Sequence, residues 1–183
     1  MITRRAATQL IASVAAAAAL GTAGTVQAAD QVLRVGVDLS LTGADAHGAK
    51  LMLDGAQLAF EEANKSNAVP GYRFELAVYD DATATAGQYD PVQAATNARK
   101  MVGDKQVVAA VGPQMSGAGK AMAPILSGGN LATITPASTN PDITDPKFAA
   151  QFRPGGKAIY FRTVATDAFQ GPYMANYMIE TLA

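Results

Sequence analysis

The feature that most constrains the fold is a regular alternation of short strand-like segments with longer helix-like segments. Apolar alternation or a short apolar run predicts five strands, at 33–39, 74–80, 107–111, 131–135 and 160–164. Helical spacing and helix start and stop residues predict four helices, at 48–64, 91–102, 116–126 and 167–182. Strands separated by helices predict an α/β fold, with three α-β-α layers around a mainly parallel sheet.

Local signals refine these elements. Asp90 followed by Pro91 is a favourable helix start, because Asp caps free amides and Pro lacks only a donor that has no partner there. Ser116 is expected to cap the third helix. The run 107–111 is typical of a strand buried on both faces. In the first helix, the residues expected to face the core are Leu51, Ala56, Ala59, Phe60 and Ala63.

Composition excludes several classes of function. The chain has no Cys and a single His, His47, which excludes a disulfide scaffold, a Cys-ligated zinc module and Ser-His-Asp chemistry elsewhere in the chain. Lys and Arg total 14 against 15 Asp and Glu, so no basic surface for nucleic acid is expected. Asp80 and Asp81 are interpreted as turn and cap carboxylates, because adjacent strand residues point to opposite faces. We therefore expect no enzyme activity, no cofactor and no metal site.

The glycine-rich stretch 112–120 matches neither of two loop motifs that carry chemistry. A phosphate loop requires Gly, four residues and then Gly-Lys-Ser/Thr, but Gln114 and Ala121 stand at its first and last positions. A nucleophile elbow requires Gly-x-Ser-x-Gly, and Gln114 and Ala118 replace the glycines around Ser116. The stretch is therefore expected neither to bind nucleotide nor to act as a hydrolase.

The first 28 residues are predicted to be a secretory signal peptide. Arg4 and Arg5 precede an uncharged stretch whose apolar part is too short to span a bilayer. A small-x-small pattern predicts cleavage after Ala28, with cleavage after Ala29 as the alternative. The paired arginines also suggest the twin-arginine route, but the residues that follow them favour the general secretory route. The mature chain is expected in the periplasm, with no insertion into a membrane.

A parallel sheet collects ligands at the carboxyl ends of its strands. The segments predicted to lie there supply hydroxyls, glycines and one imidazole, and they are 41–48, 112–116 and 136–139. Two interpretations of Ser116 remain open. It acts as a helix cap alone, or its hydroxyl and the first helical amides hold an anion such as a carboxylate.

Four groups of residues resemble one protein family, and they are 35–37 with 41–43, 55–59, 134–141, and 161–163 with Asp167 and 170–172. The Thr-Pro-Ala-Ser-Thr-Asn-Pro run at 135–141 and the later Phe-Arg-Thr with Asp-x-x-Gln-Gly-Pro are specific in combination. The chain resembles the N-terminal part of leucine/isoleucine/valine-type substrate-binding proteins of ABC transporters, which have the type I periplasmic-binding fold.

The resemblance implies two α/β lobes that close on a ligand and dock on a membrane permease. Residues 29–163 match the N-terminal part of lobe one, and 164–183 match the start of lobe two, so the chain is expected to stop before lobe two is complete. The implied function is a periplasmic solute-binding protein that delivers a small amino acid or related compound to an ABC importer. A ligand-sensing receptor of the same fold is the alternative.

The resemblance also implies which residues bind the ligand. Lobe one of such proteins holds the ligand's carboxylate and ammonium groups, and the matching positions are Ser116, Ala137, Ser138 and Thr139. Ala137 would contribute its carbonyl and Thr139 its hydroxyl. His47 matches an aromatic residue that packs on the ligand. Its imidazole leaves the ligand class open between a branched-chain amino acid, another amino acid, an amide and an aromatic acid.

Overall fold

The computed structural model describes residues 30–181. The strands in this part of the chain are β1 (Gln31–Leu39), β2 (Tyr72–Asp80), β3 (Val107–Val111), β4 (Thr133–Thr135) and β5 (Tyr160–Arg162). The α-helices are α1 (Ala46–Lys65), α2 (Pro91–Gly103), α3 (Ser116–Gly128), α4 (Ala149–Phe152) and α5 (Asp167–Thr181). Single 3-10 turns lie at Gly43–Asp45, Pro141–Ile143 and Pro146–Phe148. The predicted signal peptide, residues 1–28, lies outside the described residues.

The five strands form one parallel sheet in the order β2-β1-β3-β4-β5, which confirms the predicted α/β class. After β1 the chain adds β2 on one side and then crosses to β3 on the other. The helices that follow β1 and β3 pack on opposite faces of the sheet. The loops after these two strands therefore diverge and leave a crevice at their carboxyl ends, where parallel sheets bind ligands.

Helices α2 and α3 pack side by side on one face and bury the larger part of the core. Met101 of α2 and Met122 and Leu126 of α3 are fully buried there. Gly36 of β1 provides the space for Met101, because a Cβ at this glycine would lie 2.7 Å from the methionine sulfur. Full burial of a side chain of this size contributes about 1.5–3 kcal/mol to folding.

Helix α1 covers β1 and β2 on the opposite face, with a stripe of residues that differs from the predicted one. The side chains on the buried or half-buried side are Ala49, Met52, Leu53, Ala56, Phe60 and Ala63. Leu51 is 62% exposed and Ala59 is also exposed, so the prediction that they face the core is wrong. The stripe starts at Ala49, and steps of three and four residues from there pass over Leu51 and Ala59.

The face that carries α1 is open beyond β1 and β2. Val108 of β3 is 46% exposed, and the paired residues Ile134 and Phe161 on the next two strands are exposed as well. The prediction that 107–111 is buried on both faces is therefore wrong at Val108. The physical reason is coverage: among residues 30–181, α1 is the helix on this face, and it packs mainly against β1 and β2 and reaches β3 only near Val111.

Three of the four predicted helix starts, at 91, 116 and 167, are confirmed, whereas the first helix begins at Ala46 and not at residue 48. The Asp90 carboxylate accepts a hydrogen bond from the amide of Val92, 2.8 Å away, which confirms this residue as the cap of α2. Ser116 is the first residue of α3, and Met115 stands at the cap position without a side-chain bond, so the predicted Ser116 cap is wrong. His47 lies in the first turn of α1 and not in the preceding loop, because the helix begins at Ala46.

Candidate functional site

The loop after β3 is held tightly against the ends of β1 and β4. Gly112 has a φ of 114°, and a Cβ at this position would collide with the carbonyl oxygen of Asp38. Thr133 donates a hydrogen bond to the carbonyl of Gly112 over 2.7 Å, and Thr135 donates to that of Pro113 over 2.6 Å. Both threonine side chains are buried, so the loop that leads into α3 has a fixed position relative to β4.

The loop after β4 is held by side chains on both of its flanks. The hydroxyl oxygen of Thr135 accepts hydrogen bonds from the amides of Ala137 and Ser138, at 3.2 and 2.9 Å. The hydroxyl oxygen of Ser116 accepts from the amide of Asn140 over 3.2 Å. The start of α3 and the loop after β4 therefore form one connected unit at the carboxyl edge of the sheet.

Four of the five residues matched by resemblance lie in this unit. Ser138 is fully buried, and its hydroxyl lies 3.4 Å from that of Ser116. Its amide donates to Thr135 and its carbonyl accepts from Arg162, so Ser138 has a supporting position within the loop. Thr139 and Ala137 are half-buried. No group within residues 30–181 makes a hydrogen bond to the Thr139 hydroxyl or to the Ala137 carbonyl, and both are available to a ligand.

His47 approaches the unit from α1. A Cβ at the neighbouring Gly48 would lie 3.3 Å from the side-chain nitrogen of Gln114, so the first turn of α1 lies beside the turn that precedes α3. The His47 side chain is exposed, and no hydrogen bond joins it to Ser116 or Thr139. His47 is therefore exposed beside the start of α3, whereas the side chains of Ser116 and Thr139 are half-buried.

Two buried carboxyl groups lie close to the ends of β1 and β2, and the turn or cap role predicted for one of them, Asp81, is wrong. Asp38 and Asp81 are fully buried. Asn97 donates to one oxygen of Asp38 over 2.8 Å, and Ser40 donates to one oxygen of Asp81 over 2.7 Å. The second oxygen of each carboxyl has no other donor among the described residues, and the two groups are within hydrogen-bonding reach of each other.

These contacts indicate a shared proton. Burial, and after it the negative charge of Asp81, raise the pKa of Asp38 to about 8. Burial also raises the pKa of Asp81, whereas its hydrogen bonds from Ser40 and Asp38 act in the opposite direction. Asp38 is therefore the protonated member at neutral pH, and it donates to the Asp81 carboxylate.

The neighbouring Asp80 has the role that the sequence analysis assigned to it. One of its oxygens accepts from the amides of Leu41 and Ala82, at 2.9 and 3.0 Å, and the other accepts from the Thr42 hydroxyl over 2.7 Å. It joins the loop after β1 to the end of β2. Within residues 30–181 no three His, Cys, Asp or Glu side chains are grouped as a metal site would require.

The chemistry available at the crevice is recognition by hydrogen bonds. Thr139 and Ala137 present one hydroxyl and one carbonyl on a loop that is held by hydrogen bonds from the amides of Ala137, Ser138 and Asn140. The ammonium of Lys120, in α3, is 2.9 Å from the carboxylate of Asp142, which compensates its charge. Such a surface suits a small polar molecule that carries both a donor and an acceptor. None of the described helices is both long enough and apolar enough to cross a bilayer.

Comparison with known proteins identifies related sequences over most of the chain. A leucine-, isoleucine-, valine-, threonine- and alanine-binding protein of Pseudomonas aeruginosa is 30% identical over 173 residues, which are 94% of this chain and 42% of the relative. A Leu/Ile/Val-binding protein homolog of Brucella melitensis is 30% identical over 174 residues, which are 95% of this chain and 42% of the relative. The chain thus spans less than half the length of these relatives.

Solved structures share the same fold. The branched-chain amino acid substrate-binding protein LivJ of Streptococcus pneumoniae, in complex with isoleucine, superposes with a TM-score of 0.68 at 26% identity, over 83% of this chain and 39% of LivJ. The leucine-binding protein LivK of Thermotoga maritima gives a TM-score of 0.65 at 28% identity, over 82% of this chain and 37% of LivK. A sequence model of the periplasmic binding protein family matches residues 32–180. The chain belongs to the periplasmic binding protein family.

Proposed function

We propose that the full-length protein is a periplasmic solute-binding protein that captures a small amino acid or related compound and delivers it to the permease of an ABC importer. The observation that carries the proposal is the pair of unpaired polar groups, the Thr139 hydroxyl and the Ala137 carbonyl, on a loop that hydrogen bonds from Thr135, Ser116 and Arg162 hold in place. The relatives named for leucine, isoleucine and valine support an amino-acid ligand. The protein's role is binding and not catalysis.

The two free groups suit the two charged ends of an amino acid. In the proposed complex the Thr139 hydroxyl donates to the ligand carboxylate and the Ala137 carbonyl accepts from its ammonium group. The first amides of α3, beside Ser116, add a partial positive charge on the carboxylate side. His47 packs against the ligand from the rim, Ser138 supports the loop, and the remaining contacts come from a second lobe that begins after residue 163.

The ligand is best sought by calorimetry on the full-length protein, unfolded and refolded to remove any ligand bound during expression. The panel consists of branched-chain and other small amino acids, their amides and hydroxybenzoates. We expect binding of one class at 1:1 stoichiometry with a Kd of about 1 µM or tighter, which corresponds to about −8 kcal/mol. Absence of binding across the panel would contradict an amino-acid or related ligand.

Export to the periplasm is the second part of the proposal, with residues 1–28 as the signal peptide. Membership of a periplasmic family supports this location. Mass spectrometry of the periplasmic fraction should show a mature N-terminus at Ala29 or Asp30. Periplasmic protein that retains Met1 would refute the predicted cleavage.

A further inference from the structure

One arginine side chain binds the loop after β4 at three points. Arg162, the last residue of β5, donates from Nε to the carbonyl of Ser138 over 2.8 Å and from Nη2 to that of Asn140 over 2.6 Å. Its Nη1 donates to the hydroxyl of Thr144 over 2.8 Å. The guanidinium carbon lies 5.3 Å from the centre of the Tyr160 ring. The guanidinium thus contacts the residues immediately before and after Thr139.

Further backbone groups around Thr139 are bound as well. The carbonyl of Thr139 accepts from the amide of Asp167 at the start of α5, over 3.0 Å. The amide of Asn140 donates to Ser116. Three successive carbonyls, those of residues 138–140, are therefore held by the connection from β5 to α5. The side-chain hydroxyl and the amide of Thr139 have no hydrogen-bond partner within residues 30–181 and remain free.

The charge of Arg162 has no carboxylate partner among the described residues, since the salt bridges there involve Arg34, Lys50 and Lys120. Its three partners lie in different directions, and a planar guanidinium with five N–H donors can reach all of them. A lysine would keep the charge, but its single nitrogen cannot span the carbonyls on both sides of Thr139. The contacts therefore depend on the shape of the guanidinium and not on its charge alone.

We propose that Arg162 is a positioning residue for the ligand site, which holds the Thr139 hydroxyl in its binding orientation before the ligand arrives. The inference rests on the proposed function. If Arg162 were absent, the loop would sample other conformations, and the measured Kd would rise in proportion to the lost fraction of competent protein. Arg162 acts through Thr139 and does not itself contact the ligand.

The test is a double-mutant cycle on the full-length protein, with the tightest ligand of the calorimetric panel as probe. Arg162→Lys should weaken binding about tenfold, as expected if only about a tenth of the protein retains the competent loop. Arg99→Lys, at an exposed position of α2, is the matched control and should bind like the parent. Thr139→Val should cost much less affinity in the Arg162→Lys background than in the parent, because the hydroxyl is no longer held in place.

Unchanged affinity of Arg162→Lys, or losses that simply add in the cycle, would overturn the inference while leaving the ligand-binding function intact. A parent protein that binds nothing in the panel would instead refute the proposed function. If Arg162→Lys does not fold in a thermal melt, Thr144→Val replaces it in the same cycle, since it removes one acceptor of the guanidinium and leaves the other two. Thr144→Val should weaken binding about two- to threefold. A smaller affinity loss from Thr139→Val in the Thr144→Val background than in the parent supports the inference, and additive losses overturn it.

Discussion

The free energy of unfolding should fall as the pH rises from 5 to 8, by about 2–4 kcal/mol, because the native state holds a proton that the unfolded chain releases. The group responsible is Asp38, whose pKa is raised to about 8 in the folded protein from an ordinary value of 3.8. Between these two values the folded state binds more protons than the unfolded state, so stability is greatest at the acidic end and is lost towards pH 8.

Asp38→Asn provides the decisive comparison. An asparagine keeps the acceptor for Asn97 and offers Asp81 the donor that the protonated carboxyl supplies, but it does not titrate. Chemical denaturation of the full-length variant should show little change in stability between pH 5 and 8, and at pH 8 the variant should be more stable than the parent. Asp54→Asn, at an exposed carboxylate of α1, is the control and should retain the parent's pH dependence. A parent protein that is equally stable at both pH values would contradict the shared proton.

Thr139→Val should weaken ligand binding by about tenfold to a hundredfold in the full-length protein, because a hydrogen bond to a charged group contributes about 1.5–3 kcal/mol. The valine keeps the volume of the side chain and removes only the hydroxyl. Since that hydroxyl has no protein partner within residues 30–181, the melting temperature without ligand should hardly move, whereas the stabilisation by ligand should shrink.

Ser116→Ala separates support of the loop from ligand contact. Ser116 is not the cap of α3, so its removal acts through the lost bond to the Asn140 amide, which contributes about 0.5–1.5 kcal/mol. This variant should lower both the melting temperature of the free protein and its affinity. If Thr139→Val and Ser116→Ala both bind ligand like the parent, the residues matched by resemblance do not form the site.

The order of strands and helices could be predicted from the sequence because each element carries its own periodicity and its own start or stop residue. The Asp90 cap is such a local signal, and the structure confirms it. Several predictions that are wrong concern burial, which depends on contacts with distant parts of the chain. Whether Val108 is covered depends on which strands α1 packs against, and the neighbouring residues contain no information about that choice.

In the candidate site too, local features could be predicted from the sequence and long-range contacts could not. The hydroxyl-rich loop after β4 was predicted as a ligand segment from its position after a strand. Asp38 in β1 pairs with Asp81 at the end of β2, and the two residues are 43 positions apart in the chain. The sequence signal that could have indicated the pair is Asp38 itself, a charged residue on the face of β1 that α2 covers. Arg162 belongs to a motif that resembles the family, but its three partners lie 18 to 24 positions earlier in the chain, where no local pattern indicates them.

The central claim is that the loop after β4 holds both charged ends of a small ligand. A crystal structure of the full-length protein, grown with the amino acid or acid that binds it most tightly, measures this directly. We predict that a ligand carboxylate oxygen lies within about 3.2 Å of the Thr139 hydroxyl and that a ligand donor lies within the same distance of the Ala137 carbonyl. A ligand bound elsewhere on the lobe, with Thr139 left in contact with solvent, would contradict the account.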